Sequence, residues 1–153
     1  PRTGGTNRRT EFIQMIQKQT VFSVQTKPES FVNITSAVCD FVRQSGIKTG
    51  LLTVFMTHTS ASLTVQENAD PDVMLDLKDF FDRAVPQDNR LYRHTYEGKD
   101  DMPAHIRTSL TDVSVNIPVV KGLPAFGRWQ ALYVCEHRAE AHIRNIVLHL
   151  IGE

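Results

Sequence analysis

LLTVFMTHTSASLTVQENADPDV, residues 51–73, sets the fold class. Leu51 to Met56 is an apolar run of strand length, and Ser62 to Val65 alternates polar with apolar, the period of a second strand. Asp70-Pro71 then opens a helix: Asp70 is a good N-cap, and Pro71 falls where a missing N–H costs nothing. Val73, Leu77, Phe80, Phe81 and Ala84 share one face of that helix, and Pro86 ends it. Two strands followed by a helix, without regular βα alternation, predict an α+β fold.

Upstream, Phe12 to Thr26 sets Ile, Val and Phe among Gln and Thr and predicts one or two strands. Asn33 or Thr35 caps a helix through Ala37, Val38, Phe41 and Val42, stopped by Gly46. Downstream, Gln87 to Met102 is a long polar connection, and loops of that length are usually functional when ordered. A short helix over Pro103–Leu110 follows, then strands over Val113–Val119, Trp129–Glu136 and Arg144–Ile151. The prediction is a single compact domain over 15–153, with a mixed or antiparallel sheet and two or three helices. The polar residues 1–14 form a flexible arm.

The 153 residues carry 17 Lys+Arg against 17 Asp+Glu and are 41% hydrophobic, which suits one domain with a real core. Zero net charge removes the electrostatic term on which non-specific nucleic-acid binding depends. No apolar stretch approaches the ~18 residues of a membrane span, and Pro1 to Arg9 lacks a secretory h-region. Cys39 and Cys135 sit in apolar stretches without C-x-x-C spacing and read as buried, reduced thiols of a cytoplasmic protein.

Candidate chemistry gathers at strand ends and in the long loop. His58 ends an apolar strand, His94 and His105 flank the loop, and His137 follows Glu136 at another strand end. Converging imidazoles suit zinc or another transition metal better than magnesium, although neither H-E-x-x-H nor a Cys/His ribbon is present. His149, alternating with apolar neighbours, reads as a strand-face residue. Glu67 projects from a strand end, and Asp101 is placed to cap the Pro103 helix. Glu136 shares strand parity with Gln130 and needs a partner if buried; Arg138 is the obvious one, and is also suited to a phosphate. Hydroxyls around His58, Thr59 and Ser60 among them, suit a turn or a bound anion; without G-x-S-x-G they do not make a serine hydrolase.

In order along the chain come His58-Thr59-Ser60-Ala61-Ser62-Leu63-Thr64, Glu67-Asn68-Ala69-Asp70-Pro71-Asp72-Val73, Glu97-Gly98-Lys99-Asp100-Asp101-Met102-Pro103-Ala104-His105-Ile106, Trp129-Gln130, Glu136-His137-Arg138 and Ile151-Gly152-Glu153. This ordered set resembles the YjbQ family across nearly the whole chain. The resemblance implies a compact α+β fold assembled as a homotrimer. It also implies weak secondary thiamine-phosphate synthase activity, which joins a pyrimidine pyrophosphate to a thiazole phosphate and releases pyrophosphate. Family members hold metal at a histidine-containing site, which carries onto His58, His94 and His105 here, with His137 nearby; Glu67, Gln130 and Glu136 match motif positions. The chain departs from the family pattern at Gln66, at Arg128 and around Ala141-His142.

Two functional expectations follow. In the first, a small metal-dependent enzyme acts on a phosphorylated or other anionic metabolite. His58, His94 and His105 hold a divalent ion, zinc or another transition metal with magnesium as the alternative. Glu67, Glu136 and His137 serve catalysis, and Thr59, Ser60, Gln130 and Arg138 bind substrate. In the second, the same pocket belongs to a non-catalytic trimer that binds a metal or metabolite.

Overall fold

A computed structural model describes residues 11–153, and in it the apolar runs form β1 (Ile16–Gln25), β2 (Phe31–Asn33), β3 (Gly50–Met56), β4 (Ala61–Glu67), β5 (Ser114–Val120), β6 (Leu123–Pro124), β7 (Gln130–Glu136) and β8 (Ile143–Gly152). The helices are α1 (Thr35–Ser45), α2 (Pro71–Ala84) and α3 (Asp101–Leu110). The strands make two sheets rather than one, in the orders β1-β8-β3-β5-β6 and β2-β7-β4, and every pairing is antiparallel.

Alternation along β8 turns Ile146, Leu148 and Leu150 inward, where they meet Leu52 and Val54 of β3 and Ile117 and Val119 of β5. Leu63 of β4, Leu132 and Val134 of β7, and Val38 and Val42 of α1 complete this core from the other side. Strand β7 lies between β2 and β4 and is buried on both faces, which is why Ala131 to Cys135 reads as an unbroken apolar run. Gly50 and Gly152 face each other across β3 and β8, so tightly that a Cβ on either would collide with the opposite backbone.

Helix ends follow local chemistry. Asp70 accepts from the Asp72 N–H at 2.9 Å with Pro71 in the first turn, and Gly46 closes α1 at φ 74°. The expected Asn33 contact exists, its Oδ1 accepting from Thr35 N at 3.0 Å, although Ile34 holds the cap position. Helix α2 stops at Ala84, before Pro86, and buries Phe81 while Phe80 stays 51% exposed, because only one edge of this helix meets the body. Helix α3 begins at Asp101, two residues earlier than the proline suggested. Phe12–Thr26 yields a single strand, and the short β2 and β6 were invisible in the pattern. Of the expected arm, residues 1–10 lie outside the described residues; residues 11–14 are exposed and without regular structure. No helix among the described residues is long and apolar enough to cross a membrane.

Leu52→Ala, which empties a fully buried position, is expected to cost about 3 kcal/mol in urea unfolding, whereas Leu75→Ala on the exposed side of α2 should cost less than about 1 kcal/mol.

Candidate functional site

Asp101 opens α3 and His105 follows four residues later, so their side chains lie on one helix face, a turn apart. His94 joins them from the connection between α2 and α3. Its Nε2 is 2.7 Å from Asp101 Oδ2, and His105 Nε2 is 3.2 Å from the same oxygen. The two rings stand edge to face at 5.3 Å, and the three potential ligand atoms lie within 4.8 Å of one another. Asp101 is 1% exposed, so its charge requires compensation. Arg138 supplies it: Nη1 donates to Asp101 Oδ1 at 2.9 Å, Nε to Asp100 Oδ2 at 2.9 Å, and Nη2 to the Glu97 carbonyl at 3.0 Å.

The proton positions in this cluster are constrained. His105 Nδ1 lies 3.0 Å from the Thr59 carbonyl oxygen, which can only accept, so Nδ1 carries the proton. His105 Nε2 then turns a lone pair toward a carboxylate oxygen unless it carries a second proton or a cation lies between them. A divalent ion satisfies both nitrogens and the oxygen at once. Ligand atoms around a tetrahedral zinc stand roughly 3.4 Å apart. Receiving one would lengthen the 2.7 Å His94–Asp101 contact by about 0.7 Å and the 3.2 Å His105–Asp101 contact by about 0.2 Å. Arg138 on the other carboxylate oxygen and the Thr59 carbonyl behind His105 are the outer partners that such centres use to orient their ligands.

A cleft of about 610 Å³ opens beside His105, with Phe55, Met56, His58, Thr59, Thr108 and Val113 in its walls. His58 is therefore a neighbour of the cluster and not one of its converging ligand atoms; Asp101 takes the place expected of it. His58 Nε2 accepts the Asn145 backbone N–H at 2.9 Å, just past the point where β3 ends. Burial and the nearby Arg144 charge hold the His58 imidazole below its ordinary value.

Other expected residues occupy different positions. Glu136 is buried in an ion pair with Arg144, not Arg138: Arg144 Nε donates to Oε1 at 2.8 Å, and Thr26 Oγ1 donates to the same oxygen at 2.7 Å. Burial pushes the Glu136 carboxyl up, but the hydrogen bonds from Arg144, Thr26 and the Arg138 backbone N–H prevail and hold it below its ordinary value. Ser60 Oγ accepts from the same Arg144 guanidinium at 3.1 Å. His137 is 5% exposed, with Nε2 at 2.8 Å from Ser62 Oγ and its ring edge-on to Phe81. Glu67 and Gln130 pair in register at the far end of β4 and β7, about 20 Å along the strands from Ala61 and Glu136. Gln130 spends its Oε1 on the Gly127 N–H at 2.8 Å. Arg138 is committed to Asp100 and Asp101 and has little charge left for a phosphate. Cys135 is inert, its thiol pushed up to about 12 by burial, while Cys39 is only partly buried.

Two participants escaped the sequence reading. The sequence favours helix capping for Asp101, with the Asp100/Asp101 pair otherwise suited only to magnesium; the structure gives it no capping role, since no side-chain cap bond forms at this end. The usable signal was its i, i+4 spacing to His105, visible only once the helix is started at Asp101. Arg144 as the partner of Glu136 follows from the fold and has no local signal.

Burial, reinforced by the charge of Arg107, pushes the His137 imidazole from 6.5 down to about 4. The unfolded chain takes up that proton below its ordinary value while the folded protein does not. Stability is thus expected to fall as pH drops from about 6.5 to 4, by up to roughly 3 kcal/mol. Urea midpoints of metal-free protein across this window should slope less in His137→Gln; an unchanged slope would refute the assignment.

Comparison with known proteins agrees with this architecture. The profile described as UPF0047 protein YjbQ-like matches residues 20–153. A UPF0047 protein of Synechocystis is 50% identical over 137 residues, spanning 90% of this chain and 93% of the relative. The UPF0047 protein YjbQ of Salmonella typhimurium is 43% identical over 138 residues, spanning 88% and 98%. Among solved structures, a conserved hypothetical protein from Thermus thermophilus superposes with a TM-score of 0.75 at 35% identity, covering 84% of this chain and 97% of the other. A YbjQ-like protein of unknown function from Sulfolobus solfataricus has a TM-score of 0.83 at 24% identity, covering 92% and 100%, a likeness of fold alone. The chain belongs to the UPF0047, YjbQ-like family.

Proposed function

We propose that this protein is a small metal-dependent enzyme whose ion is held by His94 Nε2, Asp101 Oδ2 and His105 Nε2. The observation that carries this reading is one buried carboxylate oxygen met by two imidazole nitrogens, where the proton of one imidazole is committed to the Thr59 carbonyl. Two histidines and one carboxylate form the donor set of catalytic zinc and non-haem iron sites, which keep open positions for substrate. Magnesium is disfavoured because it seeks oxygen ligands. When bound, the ion supplies Lewis-acid polarisation of a substrate oxygen. Asp101 and its Arg138 partner set the ligand geometry, and Thr59 fixes the His105 tautomer. Since Arg138 is neutralised by its acids, an anionic or phosphorylated group on the substrate is read here as a ligand of the ion itself. The free thiols Cys39 and Cys135 suit the cytoplasm.

Elemental analysis of untagged protein is expected to find near-stoichiometric zinc, nickel, manganese or iron. Asp101→Asn and His105→Ala should retain less than about a tenth of it while keeping the native circular dichroism. No bound or titratable metal in the wild type would end the proposal. Bound metal without turnover in a screen of phosphorylated metabolites, the thiamine coupling among them, would favour the non-catalytic metal-binding reading.

A homotrimer is the second element of the proposal, supported by one surface. The outward face of β1, β8, β3 and β5 presents Val21, Val147, Leu51, Phe55 and Val120 among amides and hydroxyls, and it bears no Asp, Glu, Lys or Arg. Depletion of charge marks the centre of an interface rather than open surface. Light scattering should give about three times 17.3 kDa, and a mass of 17.3 kDa would remove the trimer.

A further inference from the structure

We infer that His58 is a substrate-contacting residue of this site: a neutral imidazole whose Nδ1–H meets a hydrogen-bond acceptor on the uncharged, largely apolar body of the substrate. This rests on the metal reading and assigns the part of the substrate that the ion does not hold.

The protonation state follows from one hydrogen bond. An imidazolium has no lone pair to offer, so a ring that accepts the Asn145 N–H at Nε2 is neutral and carries its proton on Nδ1. Among the described residues that Nδ1 has no hydrogen-bond partner, although His58 lines the cleft that also exposes His105. The next residue, Thr59, holds His105 through its carbonyl, so the free donor stands beside a metal ligand. An unpaired ring N–H in the cleft wall, beside the proposed metal position, is where the acceptor of a ligand can be held.

The walls limit what that ligand can be. Phe55, Met56 and Val113 are apolar, the hydroxyl residues are neutral, and no Lys, Arg, Asp or Glu lines the cleft. A charged body would lose its hydration there without gaining a counter-ion. The fitting substrate has one oxygen-bearing end for the ion and a flat or apolar body carrying a carbonyl oxygen or ring nitrogen for His58. A neutral imidazole polarises such an acceptor without giving up its proton.

The test uses zinc-loaded full-length protein and two readouts. Long-range proton–nitrogen spectra at pH 7.5 should show His58 as the Nδ1–H tautomer before and after zinc, while His105 shifts on loading. A zinc-induced shift at His58 matching that of His105, or the opposite tautomer, would make it a ligand or a plain backbone cap and overturn the inference. The second readout is hydroxamate affinity, since a hydroxamate chelates zinc and its ring extends into the cleft. The better of nicotinohydroxamate and isonicotinohydroxamate should bind about tenfold tighter than benzohydroxamate, the gain of one hydrogen bond to a ring nitrogen. His58→Gln, whose amide can still accept from Asn145, should keep its zinc and lose that preference. No preference in the wild type, or one that survives the substitution, would overturn the inference. Failure of zinc to bind the wild type would instead remove the metal reading and leave the His58 tautomer standing as a separate observation.

Discussion

Asp101 carries a charge where water cannot reach it, and much of the molecule's polar end is arranged around that fact. A lone buried carboxylate would cost several kcal/mol, so every lone-pair direction must find a donor or a cation. Arg138 answers one oxygen from the turn between β7 and β8, and His94 and His105 meet the other from the α2–α3 connection and from α3. Asp100 accepts from the same guanidinium and from the Ala139 N–H at 2.8 Å; burial pushes its carboxyl up, and these bonds bring it below its ordinary value. One carboxylate thereby ties a loop, a helix and a strand turn together. The groups gathered to satisfy Asp101 include two imidazoles, and the proposed metal site rests on that donor set.

A second buried charge, Glu136, is handled in the opposite way. Its partners Arg144, Thr26 and the Arg138 backbone N–H come from β8, the end of β1 and the turn after β7, and Ser60 in turn accepts from Arg144. Breaking such a pair from one side leaves an uncompensated charge. Arg138 links Glu136 and Asp101: its backbone N–H donates to Glu136 Oε2 and its side chain to Asp101 Oδ1. The first joins strands of the two sheets; the second is met by His94 and His105, of which His105 lines the cleft.

Much of this was readable along the chain. Periodicity located α1, α2 and the principal strands, since amphipathic spacing and capping residues such as Asp70 and Gly46 act over a few neighbours. His94 and His105 were recognisable as candidates because they bracket an acidic loop of unusual length. Asp101 as a partner of those histidines was not, because an acid before a helical proline has a capping explanation that local reasoning prefers. The short strands β2 and β6 were missed because two or three residues show no periodicity of their own.

Residue order alone determined the α+β class, the absence of a net-charge bias and the family to which the chain belongs. Only the tertiary structure decided which candidates meet. Gln130 and Glu136 share a strand face, as parity requires, yet the rise of a strand sets them about 20 Å apart and in different environments. His58 and His105 are distant in sequence and share one cleft, while Arg144 rather than the adjacent Arg138 neutralises Glu136. Local pattern fixes the face on which a side chain lies; which elements are brought against that face depends on packing between residues far apart in the chain.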